Sequence, residues 1–215
     1  MGTVKTYGDK ARIKIRDTNK RQFTDPELLD IINDILETIY QNLVSVSSNL
    51  VYAEDTITTV ADTAEYTPTF SHNGFLWDGV WLDGEDTFLV EMSEADKVRY
   101  DYGTTTSEPE AYYLTEDGKV GFLWVPDDAY TVHIQFWKPL TALTSYDSDD
   151  LPWDGIWNRA IERLLVVETL EILERDVSRQ ALLADMEWHR AMNLVYARGV
   201  RRYRQKSDMF SIEGI

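Results

Sequence analysis

The sequence predicts an α+β protein: a helical bundle of one N-terminal and two C-terminal long helices, an inserted antiparallel β domain, and extended basic arms at both ends. Three observations predict it. A capped stripe of apolar residues at helical spacing begins at Thr24, short aromatic-rich β runs fill residues 51–150, and two further helical patterns occupy residues 151–198. At 215 residues the chain is long enough for one core shared by a helical and a β part, and too short for two unrelated domains with ease. The expected organisation is therefore a basic arm at 1–23, a helical domain from 24–50 and 151–198, a β domain at 51–150, and a C-terminal arm at 199–215.

The first helix is read from Thr24-Asp25-Pro26-Glu27: Thr or Asp caps, Pro suits the first turn, and Glu27 completes a capping box. Leu28, Ile31, Ile32, Ile35, Leu36, Ile39, Leu43, Val46 and Leu50 then fall on one stripe, while Asp30, Asn33, Asp34 and Glu37 largely face away. From Val51 the period shortens. Thr-, Val- and aromatic-rich runs separated by turn residues favour strands. Glu116-Asp117-Gly118 marks a tight hairpin, because Asp and Gly accept positive φ. "GFLWV" and "YTVHIQFW" read as a second, aromatic hairpin hinged on Pro126-Asp127-Asp128-Ala129-Tyr130. In its second run Tyr130, Val132, Ile134 and Phe136 face the core, and Thr131, His133, Gln135 and Trp137 face away.

The two closing helices, the second capped by Asp176, carry apolar residues beyond one stripe. In the last of them Val177, Ala181, Ala184, Trp188, Met192 and Val195 form one face, with Leu183, Met186 and Leu194 roughly opposite. A helix apolar on two sides is buried on two sides, so Leu183, Met186 and Leu194 are expected at a subunit interface. Gly199 can stop this helix, yet Val200 to Lys206 are compatible with its extension.

Charge is distributed unevenly. The net −17 divides into seven Lys/Arg against two acids in residues 1–23, five against two in 198–215, and nine against 34 between them. Basic ends on an acidic body suit arms that reach for an acidic neighbour or nucleic acid, or that balance the body's own charge. No apolar run approaches the ~20 residues needed to cross a bilayer, and no apolar signal core opens the chain, so a cytosolically made protein without a membrane partner is expected.

Chemistry is sparse. With no cysteine there is no disulfide framework, thiolate metal site or Cys nucleophile. His72, His133 and His189 stand apart, without metal-ligand spacing, and Gly118-Lys119 lies in a hairpin rather than in a phosphate-binding loop. Asp147, Asp149, Asp150 and Asp154 crowd one linker, but without the spacing of a calcium loop, and they read as solvated or helix-capping acids. Adjacent Asp127 and Asp128 rarely converge on one reacting group, so they read as turn residues. Trp77, Trp81, Trp124 and Trp137 suit core or interface packing, with a sugar-binding surface as the alternative. No catalytic, metal or cofactor residue is assigned.

The order of these parts resembles the tailed-bacteriophage head-to-tail adaptor (connector) proteins. "FTDPELLDIINDILETIYQNL", "AEYTPTF", "SEPEAYYL", "VGFLWVPDDAYTVHIQFWKPLTALT", "DSDDLPW" and the closing helices carry the likeness over about residues 23–198. Its motif residues here are Pro109 and Tyr112, then Pro126, Asp127 and Tyr130, then Pro139, Leu140 and Leu143. Glu108 stands where the family often has Gly. The resemblance implies a structural, non-enzymatic virion protein without a cofactor, located in the neck. It implies a homo-oligomeric ring, commonly of about twelve copies, docked beneath the portal protein and presenting the downstream tail or stopper protein. Genomic DNA would pass through its channel without sequence-specific binding, and an acidic wall would keep the DNA sliding. By analogy with the family, the C-terminal arm with Arg201, Arg202, Tyr203, Arg204, Met209, Phe210 and Ile212 inserts against the portal. The rival readings are a stopper or other tail-ring subunit, a carbohydrate-binding β module, and a metal-assisted hydrolase using the linker aspartates.

Overall fold

The computed structural model describes residues 3–46, 48–70, 72, 74–84, 88–93, 96 and 106–210; the side chains of residues 76–78, 154 and 198–210 lie outside that description. The chain divides into two units, Met1–Leu50 with Leu140–Ile215, and Val51–Pro139.

The first unit holds α1 (Val4–Ile15), α2 (Asp25–Ser45), a 3-10 turn (Trp153–Gly155), α3 (Asn158–Ile172) and α4 (Ser178–Phe210). Helix α2 starts as its sequence dictates. The Thr24 hydroxyl accepts from the Glu27 backbone N–H, and the Glu27 carboxylate accepts from the Thr24 N–H at 2.7 Å. Its stripe is the buried face: Leu28, Ile32, Ile35, Leu36, Ile39, Tyr40 and Leu43 are buried, each contributing about 1.5–3 kcal/mol. Asn33 departs from the expectation that it faces away. Its side-chain amide donates to the Leu143 carbonyl (3.1 Å) and accepts from the Leu143 N–H (2.9 Å), fastening the Leu140–Thr144 stretch to α2. Helix α3 is the hub, packing against α1, α2 and α4. Ala160, Ile161, Leu165, Val166 and Val167 are buried along it, and fully buried Trp157 precedes it.

The N-terminal segment corrects an expectation. An extended basic arm is predicted over residues 1–23, yet Val4–Ile15 form a helix with Val4, Tyr7, Ala11 and Ile15 buried at helical spacing. Thr3 caps it by accepting from the Thr6 N–H. Its charges are met within the unit. Lys5 pairs with Asp147 at 2.6 Å, Lys10 and Lys14 with Glu162, and Lys20 with Asp25. Arg12, only 2% exposed, bonds Asp17 (3.2 Å), Asp25 (2.8 Å) and the Phe23 carbonyl (2.6 Å). Buried Asp17 also accepts from the N–H groups of Arg21, Gln22 and Phe23, which closes the α1–α2 connection. Burial pushes the Asp17 carboxyl up, but these three N–H groups and Arg12 outweigh it and hold the carboxyl below the ordinary value. The physical reason for the correction is that five of the segment's seven cations, Lys5, Lys10, Arg12, Lys14 and Lys20, find acidic partners at home.

The second unit contains two sheets. One is ordered β1 (Tyr52–Thr58), β7 (Thr131–Trp137), β3 (Phe75–Leu82); the other β2 (Glu65–Tyr66), β6 (Val120–Leu123), β5 (Ala111–Leu114), β4 (Val90–Glu91). One apolar cluster draws Ile57, Val80, Leu82, Val132, Ile134 and Phe136 from the first sheet and Tyr112, Val120 and Phe122 from the second, so the sheets share a core. The alternation in β7 holds, with Val132, Ile134 and Phe136 buried between half-buried neighbours. The Glu116–Gly118 hairpin also holds: β5 pairs antiparallel with β6, and Gly118 sits at φ 78°. Across that pair Tyr113 lies opposite Gly121 and covers it so closely that a Cβ there would stand 2.0 Å from the ring.

The aromatic hairpin is overturned. β6 and β7 belong to different sheets, and Pro126–Tyr130 is a corner between them. Trp124 leaves β6 in the left-handed region (φ 47°). A distant loop then takes up the corner's backbone groups. The Thr59 hydroxyl donates to the Asp128 carbonyl (2.9 Å) and accepts from the Tyr130 N–H (2.7 Å), the Thr59 N–H donates to the Tyr130 carbonyl (2.8 Å), and the Asp62 N–H donates to the Pro126 carbonyl (2.9 Å).

Candidate assembly surfaces

Helix α4 is built to be wetted, or met, on one side. Asp176 accepts from the Ser178 N–H (2.9 Å) and hydroxyl (2.7 Å) at its start, as expected of a cap. Ala184, Ala191 and Val195 are buried, and Trp188 meets Trp157 edge-on with centroids 5.1 Å apart. The opposite face exposes Leu182 (63%), Met186 (61%), Leu194 (48%) and Tyr196 (50%). Of the three residues expected at an interface, Met186 and Leu194 are exposed, whereas Leu183 is half-buried and its neighbour Leu182 is exposed. Around them Asp185 pairs with His189 (3.3 Å) and Arg190 approaches Glu187 (3.9 Å). A shallow depression is lined by Asp185, Met186, His189, Arg190, Asn193 and Leu194.

The helix does not stop at Gly199. Where an extended arm is expected, the backbone remains helical to Phe210, making α4 33 residues, or about 50 Å, long. The side chains of Arg201, Arg202, Tyr203, Arg204, Met209 and Phe210 lie outside the described residues, as does Ile212 altogether.

The motif residues divide into core and corner. Pro109, Tyr112 and Pro126 are buried, Tyr112 also bonding Glu91 at 3.4 Å. Asp127 is exposed and accepts from the Tyr130 hydroxyl at 2.7 Å. That bond, with some burial and the nearby acids, pushes the Tyr130 phenol up to about 12. The Asp128 carboxylate accepts from the Ala129 N–H at 2.7 Å. Both aspartates are thus engaged in turning the chain. Pro139 ends the β unit and Leu140 reopens the helical one.

Among the described residues neither the histidines nor the linker acids gather around a common point. His133 stacks on Trp81 (5.1 Å), its two ring nitrogens directed to different carboxylates, Glu54 at 3.3 Å and Asp83 at 3.6 Å. His72 accepts from the Gly74 N–H among Phe70 and Phe75, and His189 is on α4. Asp147 is taken by Lys5. Asp149 accepts from the N–H groups of Ser145 and Thr144, which hold its carboxyl below the ordinary value. The Asp150 backbone bridges Thr3, and the Asp154 and Trp77 side chains lie outside the description. Among the described residues no group of His, Asp and Glu is placed to hold a metal ion, and no helix is long and apolar enough to cross a membrane.

Sequence reasoning missed Arg12, Asn33, Thr59 and Leu182. Only Leu182 left a periodic signal; the others are claimed by partners far away or across a turn. No curated protein matches the chain. A family model described as SU10 adaptor protein matches residues 3–209, spanning both units and nearly the whole of α4. The chain therefore belongs to the SU10 adaptor protein family, a family of phage head-to-tail adaptors.

Proposed function

We propose that this chain is a structural head-to-tail adaptor of the virion neck, forming a ring beneath the portal, extending the DNA channel and receiving the next tail component. The observation that carries the reading is the family match over residues 3–209, which takes in α1, both sheets and the long closing helix. Two features of the molecule support it. Helix α4 exposes large apolar residues opposite its buried face, as a subunit that completes itself against other subunits would. The acids of the core units outnumber the bases heavily, which suits a channel wall that lets DNA slide.

Within this reading the helical extension 199–210, with its Arg residues and Met209 and Phe210, docks on the portal, Arg pairing with acids and apolar residues filling a groove. Truncation after Gly199 tests it by co-sedimentation with the cognate portal ring. Loss of portal binding with retained circular dichroism is the expected result, and unchanged binding refutes the assignment.

A further inference from the structure

Leu182, Met186, His189, Asn193 and Tyr196 follow one another at spacings of four, three, four and three residues on the exposed side of α4. That spacing keeps a seam on one side of a helix, as helix-to-helix pairing requires, here with Leu182, Met186 and Tyr196 around two polar positions. The face is therefore shaped to take a helix. In heptad terms Met186 and Asn193 occupy a positions, and Leu182, His189 and Tyr196 occupy d positions. Met186, His189, Arg190 and Asn193 stand at i, i+3, i+4 and i+7 and line the depression on this face, the arrangement of a hole that receives a knob from a facing helix.

The charges say which helix and in which direction. Asp185 lies on one flank of the seam (g) and Arg190 on the other (e), five residues apart. Their side chains are 63% and 65% exposed. A g residue reaches the e residue five positions on in the neighbouring helix when the two helices are parallel and level. Cyclic symmetry keeps identical residues level, and flanks of opposite sign let one flank of each copy meet the other flank of the next around a ring. A polar Asn at one a position further fixes register.

We propose that α4 of one copy lies parallel to, and level with, α4 of the next, Asp185 of one facing Arg190 of its neighbour. This rests on the ring reading for its symmetry and names the face and register of the lateral contact.

Charge exchange tests it. Asp185→Arg and Arg190→Asp singly should each weaken self-association about tenfold, by replacing attraction with repulsion, and the double variant D185R/R190D should return to within about twofold of the parent. All these positions are exposed, so circular dichroism should be unchanged. The chain has no cysteine, which permits a second readout. A short bismaleimide should bridge a mixture of Asp185→Cys and Arg190→Cys chains more than either alone. Single variants that associate like the parent, a double variant that fails to recover, or homotypic bridging that outruns the mixed product would each overturn the proposal. If these fail while the parent still loads onto a portal ring, the register is wrong and the ring reading stands; a parent that neither self-associates nor loads removes both.

Discussion

Replacing Asp17 should damage the helical unit more than any exposed charge. Its carboxylate is 2% exposed and takes one bond from Arg12 and three from the N–H groups of Arg21, Gln22 and Phe23. Asp17→Asn retains one oxygen for Arg21 and Gln22 but turns an amide donor toward two donors, Arg12 and the Phe23 N–H. Breaking a buried ion pair costs about 3–5 kcal/mol. Asp25 still accepts from Arg12 at 2.8 Å, which places the Asn variant near the lower end, about 3 kcal/mol. Asp17→Ala also strands the three N–H groups, and a loss nearer 5 kcal/mol is expected. Urea unfolding followed by circular dichroism reads this as a midpoint lowered by about 1.5–2.5 M at an m-value of about 2 kcal/mol per M. The pH dependence has a definite sign. Because the folded carboxyl titrates below its ordinary value of 3.8, its contribution is present above that pH and lost as pH falls through the folded value. Wild-type stability should therefore fall below about pH 4 more steeply than that of Asp17→Asn. A loss under about 1 kcal/mol for Asp17→Asn would refute the view that this knot anchors the N-terminal helix.

Two close approaches give further tests. Gly121→Ala and Gly8→Ala each drive a Cβ into a tyrosine, the Tyr113 ring at 2.0 Å and the Tyr146 hydroxyl at 2.1 Å, and should cost about 1–3 kcal/mol by thermal or urea unfolding. Thr59→Val removes the hydroxyl that serves both the Asp128 carbonyl and the Tyr130 N–H; a loss of about 1–3 kcal/mol is expected in urea unfolding. Ultraviolet titration should show two phenols ionising near 12, those of Tyr130 and buried Tyr146; Tyr130→Phe removes one of them, and Asp127→Asn moves that one down while leaving the other.

Legibility in the sequence followed the range of the interactions. Helix α2 and strand β7 were readable because Thr24, Glu27 and the alternation of Val132, Ile134 and Phe136 act over a few residues. Pro126–Tyr130 announced a reversal but not its destination. Thr59 and Asp62, about 70 residues earlier in sequence, hold the corner, and strand pairing across sheets has no local signal. The first helix was hidden by its charge. Val4, Tyr7, Ala11 and Ile15 carry the helical spacing, yet the run of cations reads as an arm because their acidic partners, Asp147 and Glu162, are remote in sequence. On the outer side of α4 the spacing marks Met186 and Leu194, which are exposed, and Leu183, where Leu182 is the exposed neighbour. Leu182 and Leu183 stand only about 100° apart around α4, so spacing does not say which is exposed; packing in the folded unit leaves Leu183 half-buried and Leu182 exposed.

The central claim is best tested by the mass of the full chain, alone and mixed with the cognate portal ring, by native mass spectrometry or light scattering. The account predicts assembly onto the portal in a stoichiometry that matches a ring. A chain that remains a monomer, indifferent to the portal, would contradict it.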